Sequence, residues 1–426
     1  MKMAVVFLFC FFMTTVPAFA YIDPATGNAI FTLAITVVSA VLFACQYLYE
    51  HFFLFKGIFQ KNKNTIPLLL YSEGNAYWTR FEPILNELEK RQIKTVYYTS
   101  AEDDLCFQKK YQYIFPTFIG KGNKAYAKMA FVKADIVLMT TPGLDVYQLK
   151  RSRYVKRYVH FYHDFSDHCI YKLFGTDYYD TLLTDNEING TYIRELEQKR
   201  NLPAKELVVV GNIRLDDLKR KIENSNVAKN KEKTILLSPS WGKESILYKY
   251  GDQIMRILLS MDYYLIVRPH PQMRIDNPAL LEKLMREYPD NEKLKWDFEP
   301  DNLSAMLQSD LMISDFSSIV FEYAFTLNRP VITINKEVDL SQYDAGDLSA
   351  PTWRFTAQNE MGAGITEEDF PRLSEIIEEL LHSTMNEKIA DVADRYWTNK
   401  GKSVENIVNY LENSLKNMEG EKTPSS

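Results

Sequence analysis

The chain has 426 residues, more than one compact core organises, and this length suits two α/β domains with an appendage. Hydrophobic residues make up 46% and charged residues 25%, as in a globular protein with a buried core. The net charge of −6 argues against a nucleic-acid-binding protein, because phosphate contacts need a basic surface. No two cysteines have zinc or redox spacing, which favours a reducing compartment and no metal site: Cys10, Cys45, Cys106 and Cys169.

The first 65 residues have the composition of a membrane anchor. Residues 1–20 combine a basic start, an apolar run and a small-residue end, typical of a signal peptide; an uncleaved first transmembrane helix is the alternative. Residues 29–49 are mostly apolar and uncharged, which as a helix is about 30 Å and enough to span a bilayer. Lysines follow this span directly, so both interpretations predict an inner (cytoplasmic) membrane protein whose body lies in the cytoplasm.

From residue 65 onward, short apolar runs alternate with amphipathic stretches, typical of β-α-β units around parallel sheets. The runs PLLLYS, TVYYT, DIVLMT, YVHFY, TLLT and LVVV predict the strands of a first half. A polar segment at 216–233 predicts a linker, and TILLSP, YYLIVRP, LMIS and VITIN predict strands of a second half. A long helical region is predicted over 366–418.

This pattern predicts an α/β fold of two Rossmann-like domains that face each other across a cleft. We place an acceptor domain at 65–220, a donor-binding domain at 232–385, and a C-terminal helix with a polar tail at 386–426. Loops at the carboxyl ends of parallel strands should line the cleft. Functional residues are therefore expected directly after strands.

The motif RPHPQ follows the strand YYLIV. Two prolines restrict the backbone around His270 and hold its imidazole at the strand end, next to Arg268. A histidine here can donate to a phosphate oxygen and, when protonated, offset charge on a leaving group. The alternative is a loop histidine with a structural hydrogen bond.

The motif SDFSSIVFEYAF follows the strand LMIS. Asp315 lies in the turn, and a helix is predicted to begin near Ser317 or Ser318, where free backbone N–H groups and hydroxyls can bind phosphate. Glu322 lies one helical turn after Ser318 and can accept hydrogen bonds from ribose hydroxyls. The alternative is ordinary serine capping of a helix.

The segment YVHFYHDFSDH contains half of the six histidines: His160, His163 and His168. His163, close to Asp164 and Asp167, can act as a general base on an acceptor hydroxyl. A structural role and a metal site are the alternatives.

Two weaker motifs also follow strands. The first contains side chains that can touch a nucleotide or an acceptor: Ser238, Ser240, Trp241 and Gly242. The second, YSEGNAYW, contains Gly74, which allows close approach of a ligand but lacks a full glycine fingerprint.

Together these motifs resemble the CDP-glycerol glycerophosphotransferase family, the primases and polymerases of teichoic acid synthesis. The resemblance spans roughly 154–335, includes VVVGNIRLDDL, and is most specific in the pairing of RPHP with SDFSS and FEY. It implies a glycosyltransferase-B fold without an essential metal or cofactor, in which side chains stabilise the departing nucleotide.

The resemblance also implies roles for individual residues. His163 matches the family's base and His270 the histidine facing the donor pyrophosphate. Ser317 and Ser318 match phosphate-binding hydroxyls, and Glu322 matches an acidic residue near ribose or glycerol. The expected reaction is attack of an acceptor hydroxyl on the glycerol-linked phosphorus, with CMP as the leaving group.

One motif departs from the family. Its members commonly carry Trp-His-Gly followed by lysine at the first histidine, whereas this chain has Tyr162, His163 and Asp164. The expected partners are therefore CDP-glycerol or a related CDP-alcohol, a lipid-linked or glycan acceptor, and the membrane; homo-oligomerisation is left open. The alternatives are a nucleotide-sugar glycosyltransferase, a sugar-nucleotide epimerase, which would need no anchor, and an inactive membrane scaffold.

Overall fold

The computed structural model describes Val41 and residues 65–315, 317–334 and 339–420. The chain divides into two units, Met1–Lys63 and Asn64–Ser426, and both of its sheets belong to the second. Apart from Val41, the predicted signal peptide (1–20) and membrane span (29–49) lie outside the described residues. None of the helices in the described ranges is both long and apolar enough to cross a bilayer.

The first sheet is built from seven strands: β1 (Ile66–Ser72), β2 (Thr95–Thr99), β3 (Ile114–Phe118), β4 (Ala134–Met139), β5 (Val155–Phe161), β6 (Thr181–Thr184) and β7 (Glu206–Val209). All pairings are parallel, in the order β3-β2-β1-β4-β5-β6-β7. The helices that accompany it are α1 (Trp78–Lys90), α2 (Asn123–Met129), α3 (Glu187–Lys199) and α4 (Ile213–Glu223). Single 3₁₀ turns lie at Asn75–Tyr77 and Leu105–Gln108.

The continuous apolar runs form strands because both faces of the first sheet are covered. Leu68 and Leu70 of β1 pack with α1 on one face, whereas Leu69 and Tyr71 pack with α2 on the other. This alternation follows the two-residue period of a strand. Because helices cover both faces of this sheet, a ligand-binding site can form only at the loops that follow its strands.

The second sheet is built from six strands: β8 (Thr234–Leu237), β9 (Tyr264–Val267), β10 (Leu294–Trp296), β11 (Leu311–Ser314), β12 (Val331–Ile334) and β13 (Gly362–Ile365). It is also parallel, in the order β10-β9-β8-β11-β12-β13. Its helices are α5 (Ile246–Leu259), α6 (Met273–Asp276), α7 (Pro278–Glu287), α8 (Leu303–Gln308), α9 (Ile319–Leu327), α10 (Trp353–Glu360), α11 (Leu373–His382) and α12 (Met385–Tyr396). Further 3₁₀ turns lie at Asp344–Asp347 and Glu367–Arg372.

The last helix, α13 (Ser403–Gly420), returns to the first sheet. Ile407, Val408 and Leu411 belong to the same buried cluster as β1 and α1. Asp216 of α4 holds the start of this helix, because its carboxylate accepts hydrogen bonds from the Gly401 N–H (2.8 Å) and the Ser403 N–H (3.1 Å). The chain end thereby ties the two halves together.

Several elements differ from those predicted from the sequence. The segment 216–233 is not a linker from its start, because α4 extends to Glu223 with Leu215 and Leu218 buried. The region 366–418 is not one helix but three, with a break at residues 397–402 where Asn399 and Gly401 have positive φ. Strands β3, β10 and β13 were not predicted, because they are short and contain proline, charge or glycine.

Candidate active site

The order of strands reverses between β8 and β11 in the second sheet, and the loops after these strands are joined by Asp315. Its carboxylate accepts hydrogen bonds from the backbone N–H of Ser240 (2.8 Å) and of Ile246 at the start of α5 (3.2 Å). Ser314 adds a hydrogen bond to the Ser238 carbonyl oxygen (2.6 Å). Ligands of doubly wound sheets bind at such a reversal point. Asp315 therefore shapes the loop at this reversal point, and its expected ligand contact stays a prediction.

The tautomer of His270 is fixed by the backbone that follows it. Its Nδ1 atom lies 3.1 Å from the N–H of Gln272, which can only donate, so Nδ1 is the acceptor and a neutral ring carries its proton on Nε2. Burial lowers the pKa of His270, and the nearby carboxylate of Asp315 opposes this shift only in part. At neutral pH, His270 therefore presents an uncharged N–H donor.

Trp241 stands next to His270 on the loop after β8. The centroids of the two rings are 6.3 Å apart, and Trp241 is 50% exposed. Tryptophan is usually much more buried than this, so the exposed ring indicates a binding role. Gly242 follows with φ of 90°, a backbone conformation that favours glycine and turns the loop back towards α5. The exposed ring gives this site a flat apolar surface of the kind on which a nucleobase stacks.

The turn after β11 leads into α9 through the two predicted serines. Ser318 is the N-cap residue of α9, but its side chain makes no capping hydrogen bond. The Ser317 hydroxyl accepts only a long hydrogen bond, 3.4 Å, from the Ile319 N–H. Both hydroxyls are partly exposed at a helix start, where the helix dipole favours an anion.

Glu322, predicted to lie near ribose or glycerol, is buried and paired. Its two carboxylate oxygens accept hydrogen bonds from Nε (3.0 Å) and Nη2 (2.9 Å) of Arg214. Although burial lowers the pKa of Arg214, the charge and hydrogen bonds of Glu322 outweigh it and leave that pKa raised. Because Arg214 follows the last strand of the first sheet and Glu322 lies on α9 between β11 and β12 of the second, the pair connects the two halves.

Arg268 is also engaged within the protein. Its guanidinium pairs with the buried carboxylate of Asp297 and donates to the carbonyl oxygen of Glu299 (2.6 Å). Since both contacts join β9 to the segment after β10, the guanidinium is engaged within the protein, and the direct donor contact expected for this side chain stays a prediction. Arg268 stabilises the strand ends that carry His270.

His163 lies just beyond the carboxyl end of β5. Its Nδ1 atom is within hydrogen-bond distance of the hydroxyls of Thr140 (3.1 Å) and Tyr171 (3.2 Å), and its Nε2 atom lies 3.2 Å from Asp164. Arg80 of α1 donates to the His163 carbonyl oxygen (2.7 Å). Partial desolvation opposes ionisation of Asp164, but the hydrogen bond with His163 and the charges of Arg80 and Arg214 lower its pKa.

The loop after His163 docks on the helix that carries the serine turn. Phe165 is fully buried and packs edge-on against Phe321 and Phe325 of α9, with ring centroids 6.3 and 5.5 Å apart. The ion pair of Arg214 and Glu322 contacts the same helix. The loop of His163 and the start of α9 are therefore parts of one packed region.

The two other histidines of this segment are structural. His160 is fully buried within 4.8 Å of the ring centroids of Tyr162 and Tyr179, and burial lowers its pKa well below the usual value. His168 is buried against Asp185, at 3.0 Å from Nε2. Asp167 accepts hydrogen bonds from Thr352 and from the Cys169 N–H. Its carboxylate is therefore engaged within the protein and does not assist His163 as a base. In the described part of the chain, no three metal-ligating side chains converge.

Sequence reasoning missed three side chains that contact His163, namely Arg80, Thr140 and Tyr171. It also missed Arg214, whose charge acts on Asp164. Arg214 had a signal, because it lies within the VVVGNIRLDDL stretch. In that stretch Asn212 caps α4 through a hydrogen bond from the Leu215 N–H (3.0 Å). Arg80, Thr140 and Tyr171 come from separate elements, and no local pattern marks them.

Two parallel sheets of seven and six strands in the described residues, with candidate groups at the strand ends, define an α/β fold of the glycosyltransferase-B type. The model for the CDP-glycerol:poly(glycerophosphate) glycerophosphotransferase family matches residues 174–413, more than half of the chain. The chain therefore belongs to the CDP-glycerol glycerophosphotransferase family.

Solved structures share the fold. A structure of the wall teichoic acid polymerase TagF has a TM-score of 0.54 and 15% identity, over 84% of this chain and 92% of that chain. The UDP-GlcNAc 2-epimerase from Methanocaldococcus jannaschii has a TM-score of 0.52 and 18% identity, over 82% and 100%. A putative UDP-N-acetylglucosamine 2-epimerase from Listeria monocytogenes gives 0.56 and 14%, over 83% and 97%. No curated protein matches the chain in sequence.

Proposed function

We propose that the protein transfers a glycerophosphate unit, or a similar phospho-alcohol unit, from a CDP-linked donor to a hydroxyl of a cell-envelope glycan or lipid-linked acceptor. CMP is the second product. The family match supports the reaction class, and the observation that carries the assignment to this site is the fixed tautomer of His270. An uncharged N–H donor next to an exposed tryptophan and a free helix start suits a nucleoside diphosphate.

The donor binds at the reversal point of the second sheet. The cytosine ring stacks on Trp241, and the pyrophosphate accepts hydrogen bonds from the Nε2–H of His270 and from the hydroxyls of Ser317 and Ser318. Asp315 need not bind the ligand in this proposal. Its carboxylate holds the loop of Ser240 and Trp241 in place. Protein groups thus offset the charge that develops on CMP as it leaves.

His163 activates the acceptor. The side chain of Asp164, 54% exposed, turns outward, and the acceptor hydroxyl takes its place at Nε2. The hydroxyl proton passes to Nε2 while its oxygen forms a bond to the glycerol-linked phosphorus. The bond from that phosphorus to the bridging oxygen breaks, and the electron pair leaves with CMP. The charges of Arg80 and Arg214 still lower the pKa of Asp164 after it turns outward, and its ionised carboxylate stabilises the imidazolium through space.

The site of action in this proposal is the cytoplasmic face of the inner membrane. The support is the apolar stretch at 29–49 and the lysines that follow it. A lipid-linked acceptor is then presented at the surface to which the chain is anchored. Alkaline extraction of membranes from cells, followed by protease treatment of spheroplasts, tests both the anchor and its orientation.

A donor screen tests the proposed function. Purified protein is incubated with membrane extract and either CDP-glycerol, another CDP-alcohol or a UDP-sugar, and nucleotide release is measured for wild type and His270→Ala. We expect CMP from CDP-glycerol and at least a hundredfold lower rate in the variant, on the order of the loss of one charge-stabilising donor. UDP release from a UDP-sugar would assign the protein to the glycosyltransferases or epimerases instead.

A further inference from the structure

A cavity of about 450 Å³ opens at the carboxyl ends of β1 and β2, on the first sheet. Its lining includes three tyrosines, a serine and a carboxylate: Tyr71, Tyr77, Tyr126, Ser100 and Glu73. The ring of Tyr77 also meets His163 edge-on, with centroids 5.1 Å apart. This cavity, the β1–β2 pocket, is therefore adjacent to the proposed base and separate from the donor site on the second sheet.

The β1–β2 pocket has a rigid wall. Asn75 links the two loops, since its amide donates to the Asp103 carbonyl oxygen (3.1 Å) and accepts from the Leu105 N–H (2.9 Å). Gly74 has φ of 142°, and a Cβ atom there would lie 3.1 Å from the Cβ of Ala101. The Tyr71 hydroxyl is bonded to Ser100 (2.9 Å). A preformed pocket of this kind binds a ligand without the cost of ordering its walls.

The charges around this pocket disfavour an anion. The pocket is lined by two carboxylates, Glu73 and Asp103, and by one cation, Lys121, so negative charge predominates. Tyr126 donates to Glu73 at 3.4 Å, a long contact that leaves carboxylate lone pairs free for another donor. Burial raises the pKa of Glu73, while the Tyr126 hydrogen bond and the charge of His163 oppose the shift. Phosphate sites in proteins instead gather arginines, lysines or helix starts.

We propose that the β1–β2 pocket binds a neutral, hydroxyl-rich acceptor group, a sugar or a polyol, and that Glu73 selects it by accepting hydrogen bonds from its hydroxyls. This inference rests on the proposed function and deepens it. Tyr77 and Tyr126 supply the aromatic walls on which the apolar faces of a sugar pack. An acceptor with a phosphodiester next to its terminal hydroxyls would bring negative charge close to Glu73. Glu73 is thus a specificity-determining residue that contributes to acceptor binding.

The test compares two acceptors of matched chain length, octyl glucoside and octyl phosphoglycerol, with CDP-glycerol as donor. Wild type should transfer to octyl glucoside and much less to octyl phosphoglycerol. Glu73→Gln should raise KM for octyl glucoside about tenfold, the effect of losing one hydrogen bond to a charged acceptor. Its kcat and its affinity for CDP-glycerol, measured by calorimetry, should stay close to wild type. Glu73→Lys should reverse the preference.

Glu102→Gln is the matched control, because it removes an exposed carboxylate on the loop after β2 that does not line the pocket. Equal acceptor preference in wild type and Glu73→Gln, or wild-type preference for octyl phosphoglycerol, would overturn the inference while leaving the proposed function standing. Absence of CDP-glycerol binding and of CMP release would instead overturn the proposed function. In that case, saturation-transfer NMR of octyl glucoside with wild type and with Glu73→Gln still tests whether the β1–β2 pocket binds this group through Glu73. Equal saturation-transfer signals from the two proteins would contradict the inference.

Discussion

Arg214 and Glu322 form a bidentate ion pair between the two halves of the protein, with N–O distances of 3.0 and 2.9 Å. Arg214 starts α4 directly after the first sheet, and Glu322 lies on α9 directly after the serine turn. The charge of Arg214 also reaches Arg80 and Asp164, which flank His163. This ion pair thereby connects α9 with the residues around His163, the proposed base.

Breaking this pair should lower stability. Glu322→Gln or Arg214→Met leaves a mostly buried charge without its partner, so we expect a loss of about 1–3 kcal/mol in the free energy of unfolding. Urea denaturation measures it, and a double-mutant cycle gives the coupling between the two side chains. Arg372→Ala, which breaks an exposed pair with Glu375, is the control and should cost less than about 1 kcal/mol. Equal losses in the two pairs would contradict this account.

The affinity for CDP-glycerol should depend on the charge of His270. The donor pyrophosphate favours the imidazolium, so binding should strengthen as pH falls below the ordinary value of 6.5. Without donor the sign is the opposite: the pKa is depressed in the folded state, so stability is present above 6.5 and is lost as pH falls through the lowered pKa. Calorimetric titration and thermal melts from pH ~7.5 to ~5 measure both effects.

His270→Gln cannot change its charge and serves as the control for this pH dependence. Its donor affinity should be weaker at every pH, and the part of the pH dependence that belongs to position 270 should disappear. The same pH dependence in wild type and variant would remove His270 from the pyrophosphate site.

Trp241 should contribute to donor affinity through stacking. Trp241→Ala should weaken CDP-glycerol binding by about 1–3 kcal/mol, whereas Trp241→Phe keeps an aromatic face and should recover most of the loss. Tyr248→Ala, on the adjacent helix α5 and 42% exposed, is the matched control. Calorimetric titration with CDP-glycerol measures the affinity of each variant, and an unchanged dissociation constant in Trp241→Ala would place the cytosine ring elsewhere.

Asp216 should stabilise the returning helix α13. Asp216→Ala removes the acceptor for the Trp397 indole N–H (3.1 Å), the Gly401 N–H and the Ser403 N–H, so we expect a loss of about 2–4 kcal/mol. Hydrogen exchange of 403–420 should increase together with this loss. Asp217→Ala is the control, because Asp217 pairs only with Arg220 and Lys221 of its own helix. An Asp217→Ala loss as large as that of Asp216→Ala would contradict the anchoring role.

The positions of most strands and the α/β fold class could be predicted because buried parallel strands are continuous apolar runs. PLLLYS, DIVLMT and LMIS correspond to β1, β4 and β11. The extent of α4 could not, because its exposed face carries the charges that resemble a linker. The strand β13, GAGI, has almost no side chains and gave no signal.

The candidate groups could be located to strand ends, but their partners could not be predicted. The position of His163 and of His270 after β5 and β9 follows from the local pattern. That Glu322 pairs with Arg214, and that Arg268 pairs with Asp297, depends on side chains 108 and 29 residues away. Such tertiary pairings leave no periodic signal in one sequence.

The most direct test of the central claim follows the glycerol itself. The purified protein, mixed with membrane extract as the acceptor source, is given CDP-glycerol labelled in the glycerol, and label in the lipid-extractable and polymeric fractions is counted alongside CMP. We predict that wild type incorporates label in equal amount to CMP released. His163→Gln should bind CDP-glycerol normally but incorporate label at least a hundredfold more slowly, on the order expected for loss of a general base. CMP release without incorporation of glycerol, or full incorporation by His163→Gln, would contradict the account.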